Sequence, residues 1–205
     1  MAKQKAIHSS NRLYIKLRLK ITLRCQILGK KPNIQAAISI EYHIKMQELA
    51  RIISQTGTET KLFDLLEQEV QDKVGAKLVT LMWLDFEAGR ARRIYTNRPD
   101  LYPTNDSKPI SNNPWHEHVI INQNTFVANS LDEMDEQFTD KDFFSAHGCA
   151  SVLNMPIAIN GKTVGSLNLL HEENHFTEER IEKTQELALT AMVCIMLQQS
   201  NLSKT

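Results

Sequence analysis

The sequence predicts an α+β fold in which helices cover one face of an antiparallel sheet and loops cover the other face. Two pairs of strand-like segments are each joined by a short turn, at Ala88-Gly89 and at Asn160-Gly161. Strands joined by tight turns pair antiparallel. Helical patterns at residues 44–74 and 177–199 flank these hairpins, so helices from both ends share one sheet face. The connection between the hairpins then covers the opposite face and encloses a pocket.

Two helices are predicted before the first strand. The first runs from about Ile44 to Ser54 and repeats its apolar residues at helical spacing. The second is capped by Thr58 or Thr60 and stops at Gly75. Its apolar stripe consists of Leu62, Leu65, Leu66, Val70 and Val74.

The middle of the chain is predicted to be a hairpin followed by a long connection. Residues 77–86 and 91–97 are rich in β-forming side chains. Residues 98–113 contain three prolines and show no regular pattern, and a loop of that length in a compact domain often has a function. The short elements after it are a helix at 115–121, a strand at 125–128 and helical turns at 131–138 and 140–147.

The C-terminal segment carries the clearest pattern. Residues 151–159 and 164–171 are predicted strands joined by Asn160-Gly161, a favoured two-residue hairpin turn. On the second of these strands Leu167 and Leu169 share one face, which turns Ser166 and Asn168 toward the pocket. Thr177 then caps a single final helix.

The charge is unevenly distributed along the 205 residues. Residues 1–40 contain nine of the 24 Lys and Arg residues and no Asp or Glu, and 13–27 alternate as a strand with one basic face would. We therefore divide the chain into a basic extension, 1–45, and a domain, 46–200. The extension is open to three interpretations: a segment outside the evolved domain, a flexible arm that binds a partner, or a nucleic-acid-binding segment.

The composition indicates a globular cytoplasmic protein. Apolar residues make up 41% and charged residues 23% of the chain, and no run of about 18 apolar residues is present to span a membrane. The three cysteines are widely spaced, which fits a reducing compartment better than a disulfide framework.

The C-terminal residues resemble the end of a GAF domain. The run from Cys149 to Ile157, the turn Asn160-Gly161, residues 164–171 and the cap Phe176-Thr177-Glu178-Glu179 carry the resemblance, which extends over about 46–199. It implies a GAF/PAS-like sheet in a small stand-alone bacterial regulator that binds a small molecule. It also implies a homodimer through the terminal helices. We further expect an output partner outside the chain, no cofactor, and neither a membrane nor nucleic acid as a partner.

The resemblance also narrows the function. Cyclic-nucleotide-binding GAF domains end their last strand in Asn-Lys, where this chain has His171-Glu172. Relatives of free methionine-(R)-sulfoxide reductase exchange thiols between neighbouring cysteines, and Cys149 has no neighbour in sequence. We expect no enzyme, and two alternatives stay open: a thiol-dependent redox enzyme that uses Cys149, and a structural dimerisation module.

Candidate ligand-binding residues are polar, aromatic or thiol side chains on the strands and loops around the pocket. Polar side chains on apolar strands need hydrogen-bond partners, which a ligand, a water or loop backbone can supply. Aromatic rings can stack on a ligand. Neither catalytic residues nor metal ligands are predicted. The candidates are Tyr95, Trp115, Cys149, Ser151, Asn154, Ser166 and Asn168.

Overall fold

The computed structural model describes residues 34–104, 106–134 and 141–202. The chain divides into two compact units, residues 1–56 and 57–205. The first unit contributes one described helix, α1 (Ile34–Ile53), which begins well before the predicted start at Ile44. The boundary predicted at residue 45 therefore falls inside a continuous helix. The strand predicted at 13–27 lies outside the described residues.

The second unit contains a six-stranded sheet with helices. Its strands follow the order β3-β2-β1-β6-β5-β4, and every neighbouring pair is antiparallel, which confirms the predicted α+β fold. Its elements are α2 (Glu59–Lys73), β1 (Leu78–Asp85), β2 (Arg90–Thr96), β3 (Ser107–Pro109), a π-helical turn (His116–Ile121), β4 (Phe126–Ala128), α3 (Lys141–Ala146), β5 (Ser151–Ile159), β6 (Lys162–His171), α4 (Glu178–Gln185) and α5 (Ala188–Leu202).

The predicted hairpin of β5 and β6 is present, and β6 pairs with β1 at the centre of the sheet. Asn160 has φ 50° and Gly161 has φ 75°, so both turn residues are in the left-handed region that a type I′ turn requires. Asn and Gly adopt that region at the least cost. The Asn160-Gly161 turn therefore sets the register of the two longest strands.

The two faces of the sheet differ in character. Leu167 and Leu169 on β6 are completely buried on the face that α2, α4 and α5 cover. Ser166 and Asn168 alternate with them and lie on the opposite face, as predicted. The helices thus exclude water from one face and leave the other to the loops.

Three elements differ from the prediction. β3 forms inside the stretch expected to be irregular, because Ser107–Pro109 pairs with the exposed edge of β2. The segment at 116–121 is π-helical, with the Asn122 amide donating to the Glu117 carbonyl. The final helix is two helices, since i→i−3 hydrogen bonds at Glu186 and Leu187 tighten the chain between α4 and α5.

No helix in the described residues is both long enough and apolar enough to cross a membrane.

Candidate functional site

A cavity of about 250 Å³ lies on the sheet face that the helices leave open. Side chains of β1, β5 and β6 form its floor, among them Thr80, Asn154, Ser166 and Asn168. The volume is near the lower limit of ligand pockets, roughly 300 Å³. The space is large enough for a small metabolite and far larger than a single water molecule needs.

The cavity is covered by the loop that the sequence identified. Tyr102 and Ile110 of the stretch 98–113 line it, together with Trp115 beside the π-helical turn and Phe144 of α3. Pairing of β3 with β2 and a hydrogen bond from the Ile110 amide to the Gly89 carbonyl anchor this cover to the sheet edge. The predicted pocket under a loop is therefore present.

A ladder of polar side chains crosses the floor of the cavity. Trp115 Nε1 donates to Asn154 Oδ1 at 2.9 Å, and Asn154 Nδ2 donates to Asn168 Oδ1 at 2.9 Å. Asn168 Nδ2 continues to Thr80 Oγ1 at 3.2 Å. The strand register produces this order, because Asn154 faces Asn168 and Asn168 faces Thr80 on neighbouring strands. The ladder links the covering loop to three strands.

Arg93 of β2 is a buried cation in the wall of the cavity. Its side chain is 5% exposed, Nη1 donates to the Pro103 carbonyl at 2.8 Å, and the guanidinium lies 4.2 Å from the ring centre of Tyr102. Asp106 Oδ2 is 3.5 Å from Nη1, longer than a hydrogen bond. Nε is buried with no hydrogen-bond partner among the described residues.

Four of the seven candidate residues meet at the cavity. Trp115, Asn154, Ser166 and Asn168 all line it. The sequence pattern missed Arg93 and Thr80. Thr80 could have been found by placing β1 beside β6, since its register partner is Asn168.

Tyr95 lies on the helix face and does not line the cavity. Its ring stacks on Phe63 of α2 at 5.1 Å, and its hydroxyl donates to Glu67 Oε2 at 3.1 Å. Burial raises the pKa of Tyr95, and the neighbouring Glu67 raises it further. An extra residue in β2, Ile94, turns this side chain away from the cavity.

Ser151 and Cys149 also lie apart from the main cavity. Ser151 is buried and donates to the backbone carbonyls of His171 and Glu172, so its hydroxyl joins β5 to the end of β6. Cys149 lines a separate cavity of about 20 Å³ beside Lys77 and Phe144. That space is large enough for one water molecule and too small for a metabolite.

The described thiols are poorly suited to redox catalysis. Cys149 and Cys194 are both buried and free. Burial raises the pKa of the Cys149 thiol, which the nearby Lys77 and Arg98 only partly offset. Burial also raises the pKa of Cys194, a residue of α5, to about 12. Reactive cysteines have lowered pKa values, so the thiol-enzyme alternative gains no support from these two residues.

His171 and His175 form a structural pair at the end of β6. Their rings stack 3.5 Å apart, and His175 Nε2 is 3.0 Å from the carbonyl oxygens of Val74 and Gly75. A nitrogen between two carbonyl oxygens carries a proton and donates. That nitrogen ties the α2–β1 connection to the chain that follows β6.

The sequence matches one family model, that of the GAF domain, over residues 59–195. Its fold is similar to the GAF domain of a phosphoenolpyruvate-protein phosphotransferase from Coxiella burnetii, with a TM-score of 0.62, 15% identity, and 79% of this chain and 96% of that one covered. The corresponding domain from Acinetobacter gives a TM-score of 0.58 at 14% identity, covering 78% of this chain and 95% of that chain.

A third similar structure is the GAF domain of a two-component sensor histidine kinase from Bacillus halodurans, with a TM-score of 0.54 and 16% identity. The match covers 71% of this chain and 97% of that chain. No curated protein matches the sequence.

Proposed function

This chain belongs to the GAF domain family, and on that premise we propose that its second unit is a regulatory module that binds a small organic molecule. The observation that carries the proposal is the cavity of about 250 Å³ with a polar ladder on its floor. Packed cores rarely contain spaces larger than a water molecule, and polar groups there need partners. A ligand would fill the space and complete the hydrogen bonds.

The floor keeps hydrogen-bonding capacity for a ligand. Each side-chain amide offers two donors and an oxygen that accepts two bonds. Asn154 and Asn168 each use one donor and accept one hydrogen bond along the ladder. The Ser166 hydroxyl makes no side-chain hydrogen bond to another described residue. A polar molecule lying on the floor could therefore pair with three side chains while its apolar part contacts the cavity walls.

The cover provides a route from occupancy to regulation. Tyr102 packs on Phe143 and Phe144 of α3, with ring centres 5.1 and 6.4 Å apart. A ligand touching Tyr102 and Trp115 would contact the covering loop, α3 and the ladder at once. We propose that binding closes this cover. The solved GAF domains of a sensor kinase and of a phosphotransferase favour a regulatory role for such a change.

The proposal is tested by a thermal-shift screen of the full chain against amino acids, nucleosides, sugars and short carboxylic acids. A ligand at a hundred times its Kd adds about 2.7 kcal/mol to the free energy of unfolding. For a protein of this size that raises Tm by roughly 5–10 °C. A thermal shift in the parent protein identifies the ligand class.

A cavity-filling variant shows where the ligand binds. Ser166→Leu places a larger side chain on the cavity floor and should abolish the shift. Lys162→Leu adds the same side chain at an exposed position of the same strand and should keep it. Stabilisation of Ser166→Leu equal to that of the parent, or no stabilisation of any protein by any compound, contradicts binding in this cavity.

A further inference from the structure

We propose that the ligand of this cavity carries a carboxylate, which binds the Nε–Nη2 edge of Arg93. The inference rests on the proposed function, since it assigns the chemical class of the molecule that the cavity binds. It starts from the charge of the wall. Arg93, Lys108 and His116 line the cavity, and no Asp or Glu among the described residues does. The described acidic residues of the second unit thus lie outside this space.

The burial of Arg93 is the second step. A guanidinium that is 5% exposed has given up most of its hydration, and each donor left without a partner carries an uncompensated free-energy cost. Nε is such a donor among the described residues. A site that receives an anion recovers that cost when the ligand binds.

The orientation of the guanidinium selects the group that fits. Its Nη1 atom donates to the Pro103 carbonyl and lies near Asp106, and its Cζ atom lies over the Tyr102 ring. These contacts leave the edge formed by Nε and Nη2, whose two N–H bonds are parallel. Parallel donors of this kind match the two oxygens of a carboxylate in one plane.

Asp106 does not accept hydrogen bonds from the Nε and Nη2 donors of Arg93. Its carboxylate contacts Nη1 at 3.5 Å and its side chain is 50% exposed, so it screens the cation weakly from the solvent side. A contact of this length to a half-exposed carboxylate is weak, because solvent screens that partner. Removing the Asp106 charge should therefore strengthen attraction of an anion at the opposite edge.

The sheet register places the rest of the ligand. Arg93 faces Met82 on β1, and Met82 faces Ser166 on β6, so the three residues form one row across the sheet. Arg93 and Ser166 are two strand spacings apart, roughly 10 Å between backbones. A carboxylate at Arg93 thus leaves the remainder of a small molecule above Ser166 and the amide ladder. The ligand class is a small carboxylic acid with a hydrogen-bonding group at its other end.

The test compares carboxylates with neutral amides of the same shape. Succinate is paired with succinamide and benzoate with benzamide, and inorganic phosphate serves as a second oxyanion, all at constant ionic strength. Calorimetry on the full chain should give at least one carboxylate a Kd at least tenfold lower than that of its amide. In a ¹⁵N spectrum the Arg93 Nε–H signal, assigned by its loss in Arg93→Lys, should shift with that carboxylate alone.

Two variants separate recognition from a structural role for Arg93. Arg93→Lys keeps the charge but lacks the parallel donors, and should remove the preference for carboxylate over amide. Asp106→Asn changes a half-exposed residue and should lower the carboxylate Kd at least twofold. A purely structural Arg93 predicts no change of affinity in Asp106→Asn.

The outcomes distinguish this inference from the function it rests on. Amides that bind as tightly as carboxylates overturn the inference and leave a ligand-binding cavity. Phosphate binding in place of every carboxylate also overturns it, because the group would be a tetrahedral oxyanion. Binding of none of the probes at millimolar concentration contradicts the carboxylate inference. The proposed function is decided separately, by the wider metabolite screen and its Ser166→Leu variant.

Discussion

At the scale of single residues, the amides of Asn154 and Asn168 hold the centre of the site together. Each amide pairs with the other, and the ends of the ladder are closed by Trp115 and Thr80. Inside a protein the loss of one member leaves its neighbours without partners. The ladder therefore contributes to stability and also fixes the positions of two side chains that line the cavity.

Replacing Asn168 by Ala should lower the free energy of unfolding by about 1–2 kcal/mol. The change removes the partner of the Asn154 Nδ2 group and of the Thr80 hydroxyl, and unpaired buried groups cost roughly 1–3 kcal/mol each when water does not replace the partner. Ser166→Ala is the matched control, because the Ser166 hydroxyl makes no side-chain hydrogen bond to another described residue, and should cost less than about 0.5 kcal/mol. Urea unfolding measures both, and equal losses would show that the ladder adds nothing to stability.

The Cys194 thiol should make the protein lose stability in alkali. Its pKa is raised to about 12 in the folded chain, chiefly by burial, while an unfolded thiol ionises near 9. The contribution of this thiol to the free energy of unfolding is fully present below pH 9. It is lost between pH 9 and 12, because the thiol of the unfolded chain releases its proton first. The free energy of unfolding should fall by up to about 1.4 kcal/mol per pH unit for this thiol.

Cys194→Ala isolates that contribution. The variant should lose less stability than the parent between pH 8 and pH 10, and the difference between the two should be constant from pH 7 to 8. Urea unfolding at each pH measures the slope. Parallel slopes above pH 9 would mean that the thiol ionises in the folded state as readily as in the unfolded state.

One inserted residue in β2 explains why the side chains of Tyr95 and Arg93 lie on opposite faces of the sheet. The two residues are two apart and would share a face in a regular strand. At a bulge, Leu81 pairs with Tyr95 but Met82 pairs with Arg93, so Ile94 is an extra residue. Residues on either side of the bulge therefore point to opposite faces of the sheet from those that regular alternation would give. Tyr95 turns to the helices and Arg93 to the cavity. The sequence shows three arginines in this strand, but which of them is buried depends on the bulge and not on spacing.

At the scale of elements, the sequence predicts what is local and misses what depends on a distant partner. β5 occupies 151–159 as predicted, and β1 differs from its prediction by one residue at each end, because alternation and turn residues are local signals. β3 has no such signal and exists by pairing with β2. The sequence pattern does not indicate the break before α5, because Leu187 fits the apolar stripe of one continuous helix and is completely buried.

Gly165 sets how closely β6 can approach its neighbours. A Cβ atom there would lie 2.1 Å from the Met82 carbonyl oxygen and 2.6 Å from Ile195 Cδ1 of α5. Gly165→Ala should therefore lower the free energy of unfolding by about 1–3 kcal/mol, since a backbone atom cannot rotate out of the way. Differential scanning calorimetry measures the loss.

The double variant Gly165→Ala/Ile195→Val is the control for that prediction. It removes the side-chain clash and leaves the clash with the Met82 carbonyl, so it should recover only part of the stability. Full recovery would show that α5 alone, and not strand spacing, requires the glycine.

At the scale of the whole molecule, the described helices leave apolar side chains in water. Leu189 and Met196 on α5 are 46% and 50% exposed and stand seven residues apart, on one face of the helix. On α1, Met46 and Ile53 are 40% and 41% exposed at the same spacing. Apolar residues at a seven-residue period are typical of helices that pack on a second copy. We therefore keep the prediction that the protein forms a homodimer through its terminal helices.

Leu189→Glu combined with Met196→Glu should convert a dimer into a monomer. The two glutamates on α5 of one copy would repel the two on α5 of the other copy. Burying these charges in the interface would also cost free energy, because they would lose their hydration. Sedimentation equilibrium of the full chain should give twice the chain mass for the parent and the single chain mass for the variant. Phe86→Glu, at a side chain 58% exposed beyond the end of β1, is the matched control and should stay dimeric. A parent that sediments as a monomer at every concentration would contradict the dimer, and would leave ligand binding to act through a different partner.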